Sequence, residues 1–353
     1  MNVVINVLVT GVGGGGNGEQ LVKALRLCTL PVRVVGTDLS VEVARQSGAD
    51  VCHSLPRAND PLYIRNLLDV CEEEAVDVLL PGSEPELIRI AANAELIRPR
   101  LKLLAANDSP LINTCSDKFA TTQFLRGNGF NCPRSCLVRS VADLDDLNAF
   151  PLIVKPVVGG GSQNVYLIQD EDELRMIVGY LLRYYEAVLV QEYVGKTDQE
   201  YTVGVLFDAE GQLINSIALN RFIMTSLSNR TRIPNRTGRS DLGDVLAISS
   251  GVSQGRVDAF EQVREHCEKV GKALGAKYAI NVQCRVADGK VFIFEINPRF
   301  SGTSSIRAML GFNEPELLIR KIVLGENIPS RPRYRFGTVL RGLREVLVED
   351  MHV

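Results

Sequence analysis

The sequence predicts an α/β protein: a doubly wound parallel sheet of about 110 residues, followed by a longer α+β region. Three observations carry this. Near-continuous apolar runs alternate with helical segments through the first third, as strands of a parallel sheet buried on both faces do. A glycine-rich turn follows the first of these runs. From Asn113 a new pattern begins, with short strands, a second glycine loop and an antiparallel hairpin.

In order, Val3–Thr10 reads as a buried strand, the glycine turn as its exit, and Leu21–Leu27 as a helix. Val32–Gly36 is a strand ending at Asp38, and Val41–Gln46 a helix. Residues 76–80 form a strand before the Pro81-Gly82 turn; helix Pro85–Leu96 and strand Leu101–Ala105 complete the unit. Ser116-Asp117 starts a helix that continues through Lys118–Asn128. Strands follow at Cys136–Val138, Leu152–Lys155 and Asn164–Ile168, with Gly159-Gly160-Gly161-Ser162 before the last. Helix Asp170–Tyr185 and strand Val188–Glu192 come next. Glu200–Phe207 and Leu213–Leu219 read as a hairpin, and 221–243 as an irregular, arginine-rich stretch. Val257–Leu274 is amphipathic, with Phe260, Val263, Cys267, Val270 and Leu274 on one face. Two strands then carry Gln283 and Glu295, before a helix near Glu314–Leu324 and a polar tail.

Composition narrows the function classes. At 353 residues the length suits two or three domains. With 45% hydrophobic residues, 23% charged residues and a net charge of −3, nothing points to nucleic acid. No signal-peptide n-region opens the chain and no run reaches the apolar length of a membrane helix, so a cytoplasmic protein is expected. The eight cysteines are scattered, and Cys132 and Cys136 match no common zinc or redox spacing. His53, His266 and His352 lie far apart, which disfavours metalloprotease and serine-hydrolase chemistry.

Gly11-Val12-Gly13-Gly14-Gly15-Gly16, with Asp38 ending the second strand, fits the dinucleotide-binding fingerprint. Six glycines in eight residues allow many registers, however, and the rest of the chain favours a Rossmann-like turn with another job over an NAD enzyme. No Walker A loop is present: Asn17 follows Gly16, and Val190 stands where Gly195-Lys196-Thr197 would need a glycine. Val154-Lys155-Pro156 before the Gly159–Ser162 loop is more telling. A strand-borne lysine neutralises phosphate charge, and a glycine loop lets backbone N–H groups approach phosphate oxygens and close as a lid. In Phe294-Glu295-Ile296-Asn297-Pro298-Arg299 a carboxylate and a carboxamide point to one face of a strand, and Gln283 offers a third oxygen. Hard cations such as Mg²⁺ take this kind of ligand and bind substrate phosphates as well.

In this order, Lys118, Lys155-Pro156 with its glycine loop, Gln191-Glu192-Tyr193-Val194, Glu200, Gln283 and Glu295-x-Asn297-Pro298-Arg299 resemble the ATP-grasp superfamily across about residues 113–310. The chain looks most like single-unit relatives of the carbamoyl-phosphate synthase large subunit. The resemblance implies a Rossmann-like pre-ATP-grasp domain at 1–112, a small α+β ATP-grasp lobe with its lid at 113–187, and a C-terminal lobe with the metal site at 188–353. It implies that Lys118 and Lys155 contact ATP phosphates and that Gly160, Gly161 and Ser162 cover them. Gln191, Glu192 and Val194 match the adenine hinge, the last two acting through backbone groups. Glu200 matches the ribose-binding acid, with Asp198 as the alternative. Gln283, Glu295 and Asn297 match ligands of Mg²⁺ or Mn²⁺, and Arg299 a residue that contacts the transferred phosphate. A glutamine at 283, where many relatives carry an acid, lowers the site's charge and loosens one of two Mg²⁺ ions.

The implied activity is an ATP-dependent carboxylate–amine ligase working through an acyl-phosphate. Its partners would be a small-molecule carboxylate and an amine, with no nucleic acid and no membrane. The alternative is phosphorylation of bicarbonate or carbamate, as in carbamoyl-phosphate synthase. For the substrate, Arg221, Arg230, Arg232, Arg236 and Arg239 could close over an anion, with Arg232 the chosen candidate. Glu84, after the Pro81-Gly82-Ser83 turn, could hold an ammonium group, and Arg341 could reach the same cleft. Oligomeric state stays open, although many members of the superfamily are dimers.

Overall fold

The computed structural model describes residues 4–144 and 149–343. Val3 and His352 lie outside the described residues. The N-terminal unit alternates β1 (Ile5–Thr10), α1 (Asn17–Arg26), β2 (Val32–Asp38), α2 (Val41–Arg45), β3 (Val51–Ser54), α3 (Tyr63–Glu73), β4 (Val78–Leu80), α4 (Glu84–Ala91), α5 (Ala94–Ile97) and β5 (Leu103–Leu104). Its five strands pair in parallel in the order β3-β2-β1-β4-β5. The change of direction beside β1 places the glycine turn and the β4–α4 turn at the carboxyl ends of adjacent strands, where open α/β sheets take ligands. The expected helix 85–96 is split at Asn93, whose side chain donates to the Arg89 carbonyl at 2.9 Å. The sequence reading did not find β3 or α3.

Two helices follow, α6 (Ser109–Ser116) and α7 (Lys118–Gly127). Asp117 caps α7, accepting from the backbone N–H groups of Phe119 and Ala120 at 2.8 Å each. Next come β6 (Ser135–Val138), β7 (Leu152–Pro156), β8 (Tyr166–Ile168), α8 (Glu171–Leu181) and β9 (Val188–Glu192). Their sheet runs β6-β9-β7-β8. Two expected boundaries therefore move. β9 pairs with both β6 and β7, so the small lobe runs through Glu192 rather than ending at 187. Leu125 of α7 and Cys115 of α6 bury with Ile293 and Ile296, so these helices belong to the core of the large lobe despite preceding the small one.

The remainder comprises β10 (Glu200–Phe207), β11 (Leu213–Arg221), β12 (Asn229–Pro234), β13 (Val245–Ser249), β14 (Gly255–Val257), α9 (Glu261–Ala273), β15 (Ala279–Ala287), β16 (Lys290–Asn297), α10 (Ser304–Met309), α11 (Glu314–Leu318) and β17 (Gly337–Val339). Six strands form an antiparallel sheet in the order β16-β15-β10-β11-β14-β17. The stretch 221–243, expected to be irregular, contains β12, which pairs with β13. The helix expected from Val257 begins at Glu261, because Val257 pairs with Leu219 in the sheet. The helix expected over 314–324 passes into a π-turn at Ile319–Val323.

One core runs from Val7, Val9 and Leu21 of the N-terminal unit into Leu206, Phe300 and Phe312 of the large lobe, so the two share an interior. On the face of the sheet that carries Gly204 and Asn281, Arg307 and Glu314 form an ion pair at 2.9 Å, with 1% and 0% of their side chains exposed. Arg307 also donates to Asn281 Oδ1 at 2.6 Å. Gly204 makes room for it: a Cβ there would lie 2.2 Å from Nη1. Among the described residues no helix is long and apolar enough to cross a membrane.

Candidate active site

The register of three strands builds a polar face. β10 pairs Glu200 with Arg285, Thr202 with Gln283 and Gly204 with Asn281 on β15; β16 then sets Glu295 opposite Gln283 and Asn297 opposite Asn281. The alternate residues Val203, Val205, Ile280, Val282 and Ile296 pack into the core beneath. Between Gln283 and Cys284 the pairing slips by a residue, leaving Phe294 and Glu295 against one partner. The bulge turns Phe292 and Phe294 to the same cleft as Glu295, although strict alternation would separate them.

This cleft lies between the small lobe and the sheet. Lys155, on β7, is 5% exposed and donates to Gln191 Oε1 at 2.8 Å, with its Nζ 5.9 Å from the Phe294 ring centre. Burial pushes its pKa down to about 8, against the opposing pull of Glu295. Lys118 donates to the carbonyl of Gly159, at the start of the lid. Gly160 and Ser162 line the cleft, and Ser162 Oγ donates to the Ser249 carbonyl at 2.9 Å. Glu192 and Val194 line the same cleft, as do the apolar side chains of Ile153, Ile248 and Phe292. The Gln191 amide is committed to Lys155 and Ser135.

Glu200 is 2% exposed. Arg285 contacts its Oε2 through Nη2 at 2.9 Å and Nε at 3.0 Å, while Arg221 Nη1 lies 3.1 Å from Oε1. Burial raises its pKa, but Arg285 and Arg221 outweigh burial and hold it below the usual range. Arg285 also stands over the Tyr193 ring at 4.4 Å. Asp198, the alternative acid, is absent from the lining and receives the Asn220 side chain on its carbonyl at 2.8 Å.

A second cleft is bounded by the first glycine turn, Gly14–Asn17, together with Thr202, Asn297, Arg299 and Arg341. Ser162, Gln283 and Glu295 line both clefts. Arg299 donates to Asn297 Oδ1 and to the Phe300 carbonyl, each at 2.9 Å. Arg341 is anchored through Nη2 to Gln20 Oε1 at 3.1 Å, Ser305 Oγ at 3.3 Å and the Gly302 carbonyl, and burial lowers its pKa to about 10. Glu84 lines neither cleft, but its Oε2 would lie 3.2 Å from a Cβ on Gly160, so it sits against the lid. The expectation for Arg232 needs correction: it is exposed on β12, reaches the Ile223 carbonyl at 3.4 Å and faces neither cleft. The strand pairing of β12 carries it outward, and Arg221 is the member of the arginine stretch that enters the site.

Sequence reasoning missed Arg285, Phe292 and Phe294. Arg285 was legible as the next residue on the face of Gln283, two positions along the strand. The phenylalanines were not, because the bulge brings them in. The first glycine turn also belongs to the site, though not as a dinucleotide cradle. Gly13 N–H already donates to Asp38 at 2.9 Å and Gly15 N–H to Glu19 at 2.9 Å, so the protein's own carboxylates take the anion positions.

The residues fit a magnesium–nucleotide. Gln283, Glu295 and Asn297 supply only oxygen donors with a single carboxylate, a set that needs phosphate oxygens to complete it. Six basic residues line the two clefts against three acids, Glu192, Glu200 and Glu295. Arg221 Nε and Arg299 Nε are buried without hydrogen bonds, while Glu200 Oε1 carries the ion-pair contact from Arg221 Nη1 at 3.1 Å.

An ATP-grasp domain model matches residues 115–303, and a model of the PylC-like N-terminal domain matches residues 7–103. The chain is 26% identical over 262 residues to the carbamoyl phosphate synthase large chain of Caldanaerobacter subterraneus subsp. tengcongensis, covering 70% of this chain and 22% of that one. The large chain from Thermotoga sp. (strain RQ2) is 25% identical over 338 residues, covering 92% and 29%. This chain thus spans under a third of the length of these relatives. Among solved structures it resembles L-amino acid ligase from Bacillus licheniformis, with a TM-score of 0.63, 19% identity and coverage of 90% and 74%. It also resembles N5-carboxyaminoimidazole synthetase from Staphylococcus aureus, complexed with ADP, with a TM-score of 0.66, 15% identity and coverage of 96% and 81%. At these identities the likeness is one of fold.

Proposed function

Given that this chain belongs to the ATP-grasp family, we propose that it is an ATP- and Mg²⁺-dependent carboxylate–amine ligase acting through an acyl-phosphate. The observation that carries this reading is the shared seam: Ser162, Gln283 and Glu295 belong to both clefts. A nucleotide in the first cleft and an acid in the second would meet there.

Each residue then has a task. Glu192 and Val194 border the adenine end beside Phe292, and Gln191 holds Lys155 in place. Glu200 Oε1 accepts from a ribose hydroxyl. Lys118 and Lys155 neutralise phosphate charge, while Gly160, Gly161 and Ser162 cover it and exclude water. Gln283, Glu295 and Asn297 would hold Mg²⁺, which would screen the charge of the phosphate oxygens. Arg299 steadies the transferred phosphoryl group, and Arg341 presents its unengaged guanidinium nitrogens to a substrate carboxylate. Glu84, against the lid, is the nearest acid for a substrate ammonium group.

A carboxylate oxygen attacks the γ-phosphorus, the bond to the β–γ bridging oxygen breaks, and ADP leaves. The amine nitrogen then attacks the acyl carbon. The C–O bond to phosphate breaks, inorganic phosphate leaves and the nitrogen sheds a proton. Positioning and electrostatics suffice, so no protein nucleophile is required.

Similarity to carbamoyl phosphate synthase large chains over 92% of the sequence favours a second reading, phosphorylation of bicarbonate or carbamate. Release of ADP and phosphate from Mg-ATP separates the two. It is screened over amino acids and small carboxylates, singly and in pairs, with and without bicarbonate. Turnover that needs a carboxylate plus an amine supports the ligase, and turnover with bicarbonate alone replaces it with the second reading.

A further inference from the structure

The two clefts differ in kind. The first carries Ile153, Ile248, Phe292 and Phe294, whereas Val252 is the one apolar side chain among the residues that line the second. Glycines, hydroxyls and carboxamides make up the rest of the second lining, apart from its charges. An apolar substrate side chain would leave water for no apolar surface there and gain little.

The charges of the second cleft are Arg221, Arg299 and Arg341 against a single acid, Glu295. They are not equivalent. Arg221 shares the Glu200 carboxylate with Arg285. Arg299 is bonded to Asn297, and the charges of Glu84 and Glu295 reach it. Arg341, just past β17, stands apart from the seam. It lines the second cleft and not the first, and the acid whose charge reaches it is Glu19 on α1. Its side-chain partners are all neutral: Gln20 Oε1, Ser305 Oγ and the Gly302 carbonyl. All three bonds leave from Nη2, so Nη1 and Nε are open to a ligand.

The carboxylate that attacks the γ-phosphate must reach the seam, and it loses its charge as the acyl-phosphate forms. A guanidinium fixed on that carboxylate would favour the ground state over the transition state. Arg341 is better matched to an anion that keeps its charge throughout. The second cleft gives a substrate ammonium group no seat, because Glu295 belongs to the metal set and Glu84 lines neither cleft.

We propose that the acid activated here is small and polar and carries a second anionic group, carboxylate or phosphate, which Arg341 binds while the first carboxylate reacts. The inference rests on the ligase reading above. A guanidinium serves either oxyanion, since both accept charge-assisted hydrogen bonds from it. Arg341 thereby selects the substrate and sets the distance between its two acidic ends.

The test gives the full chain Mg-ATP and hydroxylamine, which traps an acyl-phosphate as the hydroxamate whatever amine the enzyme uses. The acids are the dicarboxylates from malonate to adipate, each beside its monoamide, and phosphoglycolate beside glycolate. Butyrate and leucine complete the panel. Hydroxamate is expected from a doubly anionic acid, with kcat/KM on the order of 10²-fold lower for its neutral-ended counterpart. Whether dicarboxylates or phosphoglycolate react identifies the second group. In Arg341→Met the KM of the reacting acid should rise on the order of 10²-fold, while the KM of its counterpart and the affinity for an ATP analogue stay within about threefold of wild type. Butyrate or leucine reacting as well as the best dianion would overturn the inference and leave the ligase reading standing. So would a variant in which both KM values rise alike, the mark of a structural residue. ADP release with bicarbonate alone, and hydroxamate from no acid, would overturn the ligase reading and the inference with it. Silence from every acid and from bicarbonate would count against both.

Discussion

Lys155→Met should weaken nucleotide binding and spare the fold. Lys155 is 5% exposed, and burial lowers its pKa from 10.5 to about 8. At about 1.36 kcal/mol per unit, holding the charged form in the folded chain below pH 8 costs roughly 3 kcal/mol. Methionine removes that cost but leaves Gln191 Oε1 without its donor at 2.8 Å, a loss of about 1–3 kcal/mol. At pH 7 the variant should therefore match wild type or exceed it by up to about 2 kcal/mol. The sign reverses with pH. Between about pH 8 and 10.5 the folded lysine has released its proton while the unfolded one keeps it, so wild type gains stability with pH relative to the variant. For ATP, a cation about 4 Å from a phosphate charge contributes up to about 4 kcal/mol at an effective dielectric of 20. An affinity loss of about 10²–10³-fold follows. Denaturant unfolding at pH 7 and pH 10, with fluorescence titration of an ATP analogue, measures both effects. A variant destabilised by more than about 2 kcal/mol, with nucleotide affinity within about threefold of wild type, would refute the reasoning and make Lys155 a structural residue.

Glu295→Ala removes the one carboxylate of the oxygen-donor set; Mg²⁺-dependent ATP turnover should fall by about 10³-fold with the unfolding midpoint nearly unchanged, and undiminished turnover would sink the assigned metal site. Arg307→Met strips Glu314, 0% exposed, of its buried partner and should cost about 3–5 kcal/mol in urea unfolding. Glu200→Gln leaves Arg221 and Arg285 facing each other and should destabilise by a similar amount near neutral pH. Because the Glu200 pKa lies below its unfolded value of 4.5, its stabilisation is present above that pH and is lost as pH falls through the folded value. The gap between wild type and Glu200→Gln should therefore close in acid, and a gap independent of pH would contradict the ion-pair account.

Much of the molecule was readable because its chemistry is local. Apolar runs such as Val7–Thr10 and Val78–Leu80 have no exposed face to alternate with, which marks a parallel sheet buried on both sides. Asp117 announces α7 because an N-cap carboxylate needs only the next turn of backbone. Glu295 and Asn297 were visible as a pair because strand alternation ties their directions together. The split of the 85–96 helix and the strand inside 221–243 were hidden for the opposite reason. Asn93 bonds back to Arg89 in place of continuing the helix, and β12 exists only because β13 lies beside it.

By itself, then, the sequence determined most of the elements and singled out the lysines and the oxygen donors as candidates, because their types and spacing are set by residues near in the chain. Tertiary structure decided which of them share a site. Antiparallel pairing brings Glu200 opposite Arg285, 85 residues away, and a one-residue slip in β16 turns Phe292 and Phe294 toward Glu295. Packing against the N-terminal unit carries Gly14–Asn17 to Arg299 and Arg341, while β12 turns Arg232 away from both clefts. These placements depend on register and shared burial, and no local pattern encodes either.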